Sequence, residues 1–410
     1  MTTAPEILAA LMTPAGQADP YPLYARAHQA GPVSAIGDGW FLVTGYTAVS
    51  QVLRDPGFGL PDPPAPGQVP SELGLLSRSI LRANPPDHPR MRSLMSQAFT
   101  PRRVDALRPA IENAVDALIG RLAEASNGGQ PADFMAEFAF RLPVTVICEL
   151  LGVPAADQER FRPLAADLTE ALEAVTASSR PSPAATAAAR ELAGYFTTLV
   201  AARRAAAGDD LIGALVAARD ARDGRLSDEE LLANLIVLLV GGFETTTSLL
   251  GNGLATLLGD PRIAAALRSG TLPVDGFIDE VLRCEAPVQA VTRMARAADL
   301  TAGGLPVPRG SLLILLIGAA NRDPDRYTDP DRFDPARTGS KPLSFGAGPH
   351  ICIGNALARL EAGIAFPRLL TRFPALAPGR PATRRNRLIL RGYESLPVTV
   401  TQQHSFARGI

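Results

Sequence analysis

Residues 345–354 read FGAGPHICIG, so three glycines and a proline crowd one cysteine, Cys352, just ahead of a helical pattern. A helix N-terminus presents free N–H groups and the positive end of the helix dipole, and a cysteine held there is drawn toward its thiolate. Glycines around it leave the backbone open enough for a bulky planar group to approach the sulfur. A thiolate so placed has the means to be the sole protein ligand of a haem iron. The same residues also read as a small, packed hydrophobe. A phosphate-binding loop fits less well, because GxGxxG needs glycine at 351, where Ile351 stands, and no clear strand precedes it.

A second group lies in GGFETTT, residues 241–247, inside a long apolar run. Two adjacent glycines in a helix interior cost about 2 kcal/mol relative to alanines, and Glu244 needs a partner or solvent there. Either the glycines permit a close helix crossing while Glu244 reaches the surface, or they open the helix beside an acid and an alcohol, Glu244 and Thr245. Elsewhere, Glu280 and Arg283 stand three residues apart, which as bare sequence is an ordinary weak ion pair. His88 and Arg92, four apart, share one helical face.

The elements that must hold these groups are mostly helical. Apolar residues recur at three- and four-residue spacing over Arg90–Phe99, Val104–Glu124 and Phe138–Leu151, the last stopped by Gly152 and Pro154. Phe161–Ala177 and Ala184–Ala207 read as further helices, joined by the polar hinge SSRPSP. Ser227–Glu230 (SDEE) has the form of a capping box, and the apolar run behind it, to about Leu258, predicts a central buried helix. Pro273–Arg283 and Ile353–Arg372 complete the helices. Trp40–Thr44 with Pro32–Ile36, Pro306–Pro308 through Leu312–Ile317, Leu388–Leu390 and Val398–Val400 read as strands. The fold class expected is mainly α with a small β-sheet region, in one domain over residues 1–410.

Composition narrows the chemistry. A formal net charge of −1 in 410 residues argues against a nucleic-acid partner. Three scattered cysteines, Cys148, Cys284 and Cys352, rule out a disulfide framework, and zinc-ribbon or iron–sulfur spacings are absent. Neither a targeting segment nor an apolar run of roughly 18–20 residues is visible. The expectation is a reduced, cytoplasmic protein without a membrane anchor.

FxxGxxxCxG, carried by Phe345, Gly348, Cys352 and Gly354, resembles the haem-ligand loop of the cytochrome P-450 family, and three further segments match that family in order. The resemblance implies the cytochrome P-450 fold, a large helical domain enclosing haem b, with Cys352 as axial thiolate. It implies that Glu244 and Thr245 manage dioxygen and protons, with Gly241 and Gly242 opening a local distortion in the helix. Glu280 and Arg283 are then structural, joined by Arg332 of PDRF, and His88, Arg92, Arg293 and His350 meet the haem propionates. Substrate contacts are implied from the loop around Leu73–Leu81, a lid near Ser178–Pro183, Leu239 and Phe243, Val288, Gln289 and Val291, and the tail turn with Tyr393. Gln289 would be the polar handle in an otherwise apolar pocket.

The activity so implied is a monooxygenase that places one oxygen atom from O2 into a medium-sized apolar substrate, by hydroxylation, epoxidation or oxidative ring closure, in natural-product biosynthesis. Since the chain has no flavin or nicotinamide fingerprint, ferredoxin and ferredoxin reductase are implied as electron donors, docking near Arg102, Arg103 and Arg359, and a monomer is expected. Peroxide-using and non-oxygenating haem-thiolate enzymes remain alternatives, as does a haem-binding sensor or carrier.

Overall fold

Ser227 Oγ accepts the Glu230 N–H at 3.1 Å, and Glu230 Oε2 accepts the Ser227 N–H at 2.8 Å. This capping box starts the central helix, Asp228–Gly259, which runs unbroken for 32 residues. Three acids in its first turn face the positive helix end. The computed structural model describes residues 2–63, 70–97, 99–126, 129–173, 182–206, 208, 210–220, 226–339 and 341–400. By length and composition this helix would cross a membrane, but 72% of its most apolar 18-residue window is buried inside the fold, which is how a core helix behaves.

Helices pack around it. Arg141–Leu151 lies alongside and ends at Gly152, whose φ of +78° is the left-handed turn that glycine takes at low cost. The single helix expected over Val104–Glu124 is two, Pro101–Ala106 and Arg108–Ala125. Pro109 explains the break, because it has no N–H to donate and its ring crowds the preceding turn. Asn355–Arg372 follows the cysteine loop, and Val274–Cys284 packs against it.

The larger sheet is small and serves the site. Its strands are β1 (Val33–Gly37), β2 (Trp40–Val43), β3 (Phe58–Gly59), β4 (Ala290–Ala295) and β5 (Leu312–Leu316), in the order β1-β2-β5-β4-β3. Only the β2–β5 pair is parallel, with Leu42 opposite Ile314. β4 has no counterpart among the strands expected above, and it carries Arg293 opposite Leu313. Near the C-terminus, Thr383–Arg384 pairs with Tyr393–Ser395, while Leu388–Leu390 forms only an isolated bridge, Leu390 to Val288.

One buried acid has no evident use in the packing. Glu361 on the Asn355–Arg372 helix is 2% exposed, and its Oε2 has no hydrogen-bond partner. Burial alone pushes its pKa well above the ordinary carboxylate value. A folded pKa above the unfolded one, about 4.3, means that its contribution to stability is complete below the unfolded value and is lost as pH rises through the folded one. Glu361→Gln cannot ionise, so its stability advantage over wild type is expected to be smallest near pH 4 and to grow toward pH 8. Melting temperatures of both proteins across that range check this; a constant difference would contradict it.

Candidate functional site

The cysteine loop is held by its own backbone. The Cys352 N–H donates to Phe345 O at 2.8 Å, the Gly346 N–H to Leu343 O at 2.7 Å, and the Ile351 N–H to Gly348 O at 3.1 Å. Gly348 has φ +68°, and a Cβ there would lie 2.2 Å from Leu53 O, so both conformation and space demand glycine. Phe345 is half-buried with the Arg359 guanidinium 5.4 Å from its ring centroid. Gly354 adjoins the sulfur, 3.9 Å from where its Cβ would stand.

Cys148 and Cys284 are buried, and Cys352 is exposed. Desolvation nevertheless acts on Cys352 most strongly and raises its pKa, so protein surrounds the sulfur at longer range while space remains open in front of it. The backbone N–H groups of Gly354 and Asn355 and the charge of Arg92 pull the other way. The helix end therefore acts in the direction expected, but desolvation outweighs it when the thiol stands alone.

Four basic side chains gather beside this loop. Arg92 Nη1 donates to Ile351 O at 2.7 Å, and the His88 and His350 rings lie 3.8 Å apart, centroid to centroid. Burial, then His88, Arg293 and Arg92, pull the His350 pKa down to about 3. Arg293 is 7% exposed and burial lowers it to about 10; its Nη1 donates only to its neighbour's carbonyl, Thr292 O. His88 Nε2 is buried without a hydrogen-bond partner. No carboxylate among the described residues is ion-paired with any of the four. Desolvated cations around an orphaned nitrogen fit a doubly anionic group, and the two propionates of a haem are such a group.

The central helix opens on one face. Gly241 is exposed and Thr245 half-buried in a stretch where Phe243, Glu244 and Thr246 are buried. The helix is continuous there, against the expected distortion, and the Thr245 hydroxyl donates to Gly241 O at 3.0 Å. The two glycines serve different ends. A Cβ on Gly242 would sit 2.9 Å from Ile147 Cγ1, a close crossing with the Arg141–Leu151 helix, whereas one on Gly241 would meet nothing within 4 Å.

Glu244 is 1% exposed, and it reaches neither surface nor solvent. Its Oε2 accepts from Arg385 Nη1 at 2.5 Å, and its Oε1 has no partner. Arg385 is itself covered, stands over the Phe140 ring at 5.1 Å, and approaches exposed Glu394 at 3.6 Å. No sequence signal marked Arg385, one of five arginines between 380 and 391. Arg385→Met is expected to cost about 3–5 kcal/mol by leaving a buried charge unpaired. Adding Glu244→Gln should recover much of that loss. Denaturant unfolding of the single and double variants measures both numbers; additive losses would mean the pair is not coupled.

Glu280 and Arg283 are almost completely buried, so the weak surface pair of the bare sequence is a core feature. Arg283 donates to Glu280 Oε2 and Oε1 at 2.8 and 2.7 Å, and to the carbonyls of Asn321, Pro330 and Arg332 at 3.0, 2.7 and 2.9 Å. The expectation for Arg332 needs correction. Its backbone carbonyl joins the cluster, but its side chain is 69% exposed and faces Asp334 at 4.0 Å. The coil guanidinium beside Glu280 is that of Arg337, at 3.5 Å. Arg332 immediately precedes Phe333, and the chain turns there before it returns its side chains to the core at Arg337. Asn321 carries the cluster onward, accepting the Leu343 N–H at 2.7 Å and donating to Ser344 Oγ at 2.8 Å, next to Phe345.

Several implied substrate contacts lie elsewhere. Leu239 and Phe243 are 0% exposed and belong to the helical core. At 100° per residue they stand opposite the Gly241–Thr245 face, which Asn234, Val237 and Leu238 share instead. Gln289 has both polar ends taken: Tyr24 Oη donates to its Oε1 at 2.7 Å, and its Nε2 donates to Ala286 O at 2.6 Å. It is a buried strut, not a free handle. Tyr393 is 8% exposed, packed by the Arg384 guanidinium at 4.3 Å and close to Gly251, two turns beyond the open face. Val288 and Val291 are half-buried. The lid near Ser178–Pro183 falls, up to residue 181, outside the described residues.

A family model described as Cytochrome P-450 matches residues 33–271 and 272–391. The chain is a cytochrome P-450. It is 39% identical over 389 residues to the cytochrome P-450 monooxygenase PikC of Streptomyces venezuelae, covering 93% of this chain and 91% of that protein. It is 36% identical to the 6-deoxyerythronolide B hydroxylase of Saccharopolyspora erythraea, covering 97% and 99%. Among solved structures, it resembles the cytochrome P-450 enzyme CxnD for C–S bond formation in chuangxinmycin biosynthesis, with TM-score 0.82, 34% identity and coverage of 94% and 95%. This cytochrome P-450 is a monooxygenase whose cofactor is haem with an axial cysteine thiolate.

Proposed function

We propose that Cys352 supplies the axial thiolate, that His88, Arg92, Arg293 and His350 hold the haem propionates, and that the enzyme oxidises a medium-sized apolar substrate in natural-product biosynthesis. The oxidation would be a hydroxylation, an epoxidation or an oxidative ring closure. The observation that carries this reading is the junction of Arg92 with the cysteine loop: one guanidinium donates to Ile351 O, lowers the cost of a Cys352 thiolate, and faces the orphaned His88 nitrogen's cluster. Haem, when bound, supplies dioxygen activation. The chain supplies the surroundings. Gly241 leaves room beside the helix, and the Thr245 hydroxyl can exchange its bond to Gly241 O for one to an incoming oxygen. Arg385 fixes Glu244 Oε2 and leaves the buried Oε1 as the carboxylate oxygen without a protein partner.

Electrons would come from ferredoxin and its reductase. Arg102 and Arg103 are exposed and offer cations to an acidic partner. Arg359 is occupied, bonded to Asp279 at 2.5 Å, and drops out of the expected patch. Charge reversal at Arg102 and Arg103 is expected to slow reduction of the haem by ferredoxin at low salt, and stopped-flow reduction rates equal to wild type would remove these two from the docking face. For the reading as a whole, the deciding experiment is the spectrum of the reduced, carbon monoxide-bound protein. A strongly red-shifted Soret band is expected; a band at the position of a histidine-ligated haem overturns the assignment.

A further inference from the structure

The turn Ser79–Asn84 sits on the open face of the central helix. The Ile80 N–H donates to Asn234 Oδ1 at 2.8 Å. Asn234, Gly241 and Thr245 follow one another at seven and four residues, which keeps them on one face. At ~1.5 Å per residue, the turn lies about 10 Å along the axis from Gly241 and about 16 Å from Thr245. Its other end is clamped as well, since Asn84 accepts the Leu60 N–H at 2.8 Å and donates to Leu60 O at 3.1 Å. Between these clamps, the Arg82 and Ala83 N–H groups both close on Ser79 O at 3.0 Å.

Arg82 is half-buried on this fixed turn, and its guanidinium has no hydrogen-bond, ion-pair or ring partner among the described residues. Burial alone lowers its pKa, with no acid to offset it. Burial likewise lowers Arg92 and Arg293, which belong to the haem-side cluster. Arg82 stands apart from that cluster: the charges that act on His88 and His350 come from Arg92, Arg293 and, for His350, His88. Leu73, Leu76 and Ile80, which precede it, share the apolar core with Val237 and Leu238 of the central helix. Arg283, by contrast, has all three of its guanidinium nitrogens hydrogen-bonded. An unpaired, partly desolvated guanidinium costs free energy that a bound anion would return.

We infer that Arg82 anchors a carboxylate on the substrate, at the end of the pocket remote from the oxidised carbon. This rests on the monooxygenase reading above and narrows its substrate class from apolar molecules to apolar acids. The guanidinium takes a carboxylate through two parallel N–H bonds. The level of the turn on the central helix, on the order of 10–16 Å along the axis from Gly241 and Thr245, gives the scale of the separation between the acid and the oxidised carbon.

The test uses the haem-loaded full chain and equilibrium titration of the Soret spin-state shift with decanoic, tetradecanoic and octadecanoic acids and their methyl esters. At least one acid is expected to bind about tenfold or more tightly than its ester, the scale of a charge-assisted hydrogen bond. Arg82→Gln should remove that preference and leave ester affinity unchanged. Arg82→Glu should weaken the acid further and strengthen binding of tetradecyltrimethylammonium. Equal affinities for acids and esters in wild type, failure of every acid to bind, or an Arg82→Gln variant that keeps the preference overturns the inference. So does loss of haem from Arg82→Gln, which would place Arg82 on a propionate. The reduced carbon monoxide spectrum of each variant separates these outcomes from failure of the haem-thiolate reading, because that spectrum depends on Cys352 and not on Arg82.

Discussion

Cys352→Ser is expected to abolish the red-shifted carbon monoxide band and to lower monooxygenase turnover by more than the about 10–100-fold that loss of an outer partner costs at a metal site. A serine hydroxyl keeps the size of the side chain but does not ionise in the range where a thiol does. The loop itself should survive, because the bonds that close it join backbone groups of Phe345, Gly348 and Cys352, and the Gly354 and Asn355 N–H groups that act on the sulfur can turn to a hydroxyl instead. Haem content near wild type with the altered band is therefore the expected pairing of results. Cys148→Ser and Cys284→Ser are the controls. Both thiols are buried, pushed up to about 12 by that burial, and neither is open to a ligand. If the band persists in Cys352→Ser, or vanishes in either control, the assignment of Cys352 as ligand is wrong.

The local devices were legible in the sequence because each is written within a few residues. SDEE at 227–230 caps a helix wherever it folds, and Gly152 with Pro154 stops one. The cysteine loop belongs with them: its turn-forming glycines are four to six residues from the sulfur. Helix phase was harder to read. A mostly apolar helix gives no polar stripe from which to set its rotation, so nothing in the sequence keeps Leu239 and Phe243 from facing the pocket. Counting back from Thr245 in steps of three and four would have found Gly241, Leu238 and Asn234 instead.

Long-range partners left no mark in the sequence. Glu244 meets Arg385 across 141 residues, and Gln289 meets Tyr24 across 265. Any of several tail arginines would have matched Glu244 by charge alone. In the coil after Asn321, Arg332 and Arg337 are alike in type and five apart, and only the path of the backbone shows which guanidinium turns inward. A carbonyl, which every residue has, was the part of Arg332 that mattered. The desolvated Arg82 is the same kind of case, since an arginine with no partner looks in sequence like any solvated one.

The buried cluster around Arg283 predicts the largest effect on folding. Arg283→Leu leaves the Glu280 carboxylate, 1% exposed, with the Asp334 N–H, the Cys284 thiol at 3.9 Å and Arg337 nearby, strands the carbonyls of Asn321 and Pro330, and leaves Arg332 O to Arg337 Nη2 at 3.4 Å. Breaking one side of a buried pair costs about 3–5 kcal/mol, and each stranded acceptor adds about 1–3 kcal/mol at most. The sum rivals the whole stability of a domain, about 5–15 kcal/mol. Arg283→Leu is thus expected to yield little haem-loaded protein. The milder variant Arg283→Lys keeps the charge but cannot reach all five acceptors, so it separates charge from geometry. If it folds with reduced haem retention, the cause is traceable: Asn321 links Arg283 to Leu343 and Ser344, and those residues seat Phe345 and the turn that presents Cys352. Urea midpoints and haem release to apomyoglobin measure the two effects. Normal haem retention in a destabilised Arg283→Lys protein would show that the cluster supports the fold without holding the cysteine loop.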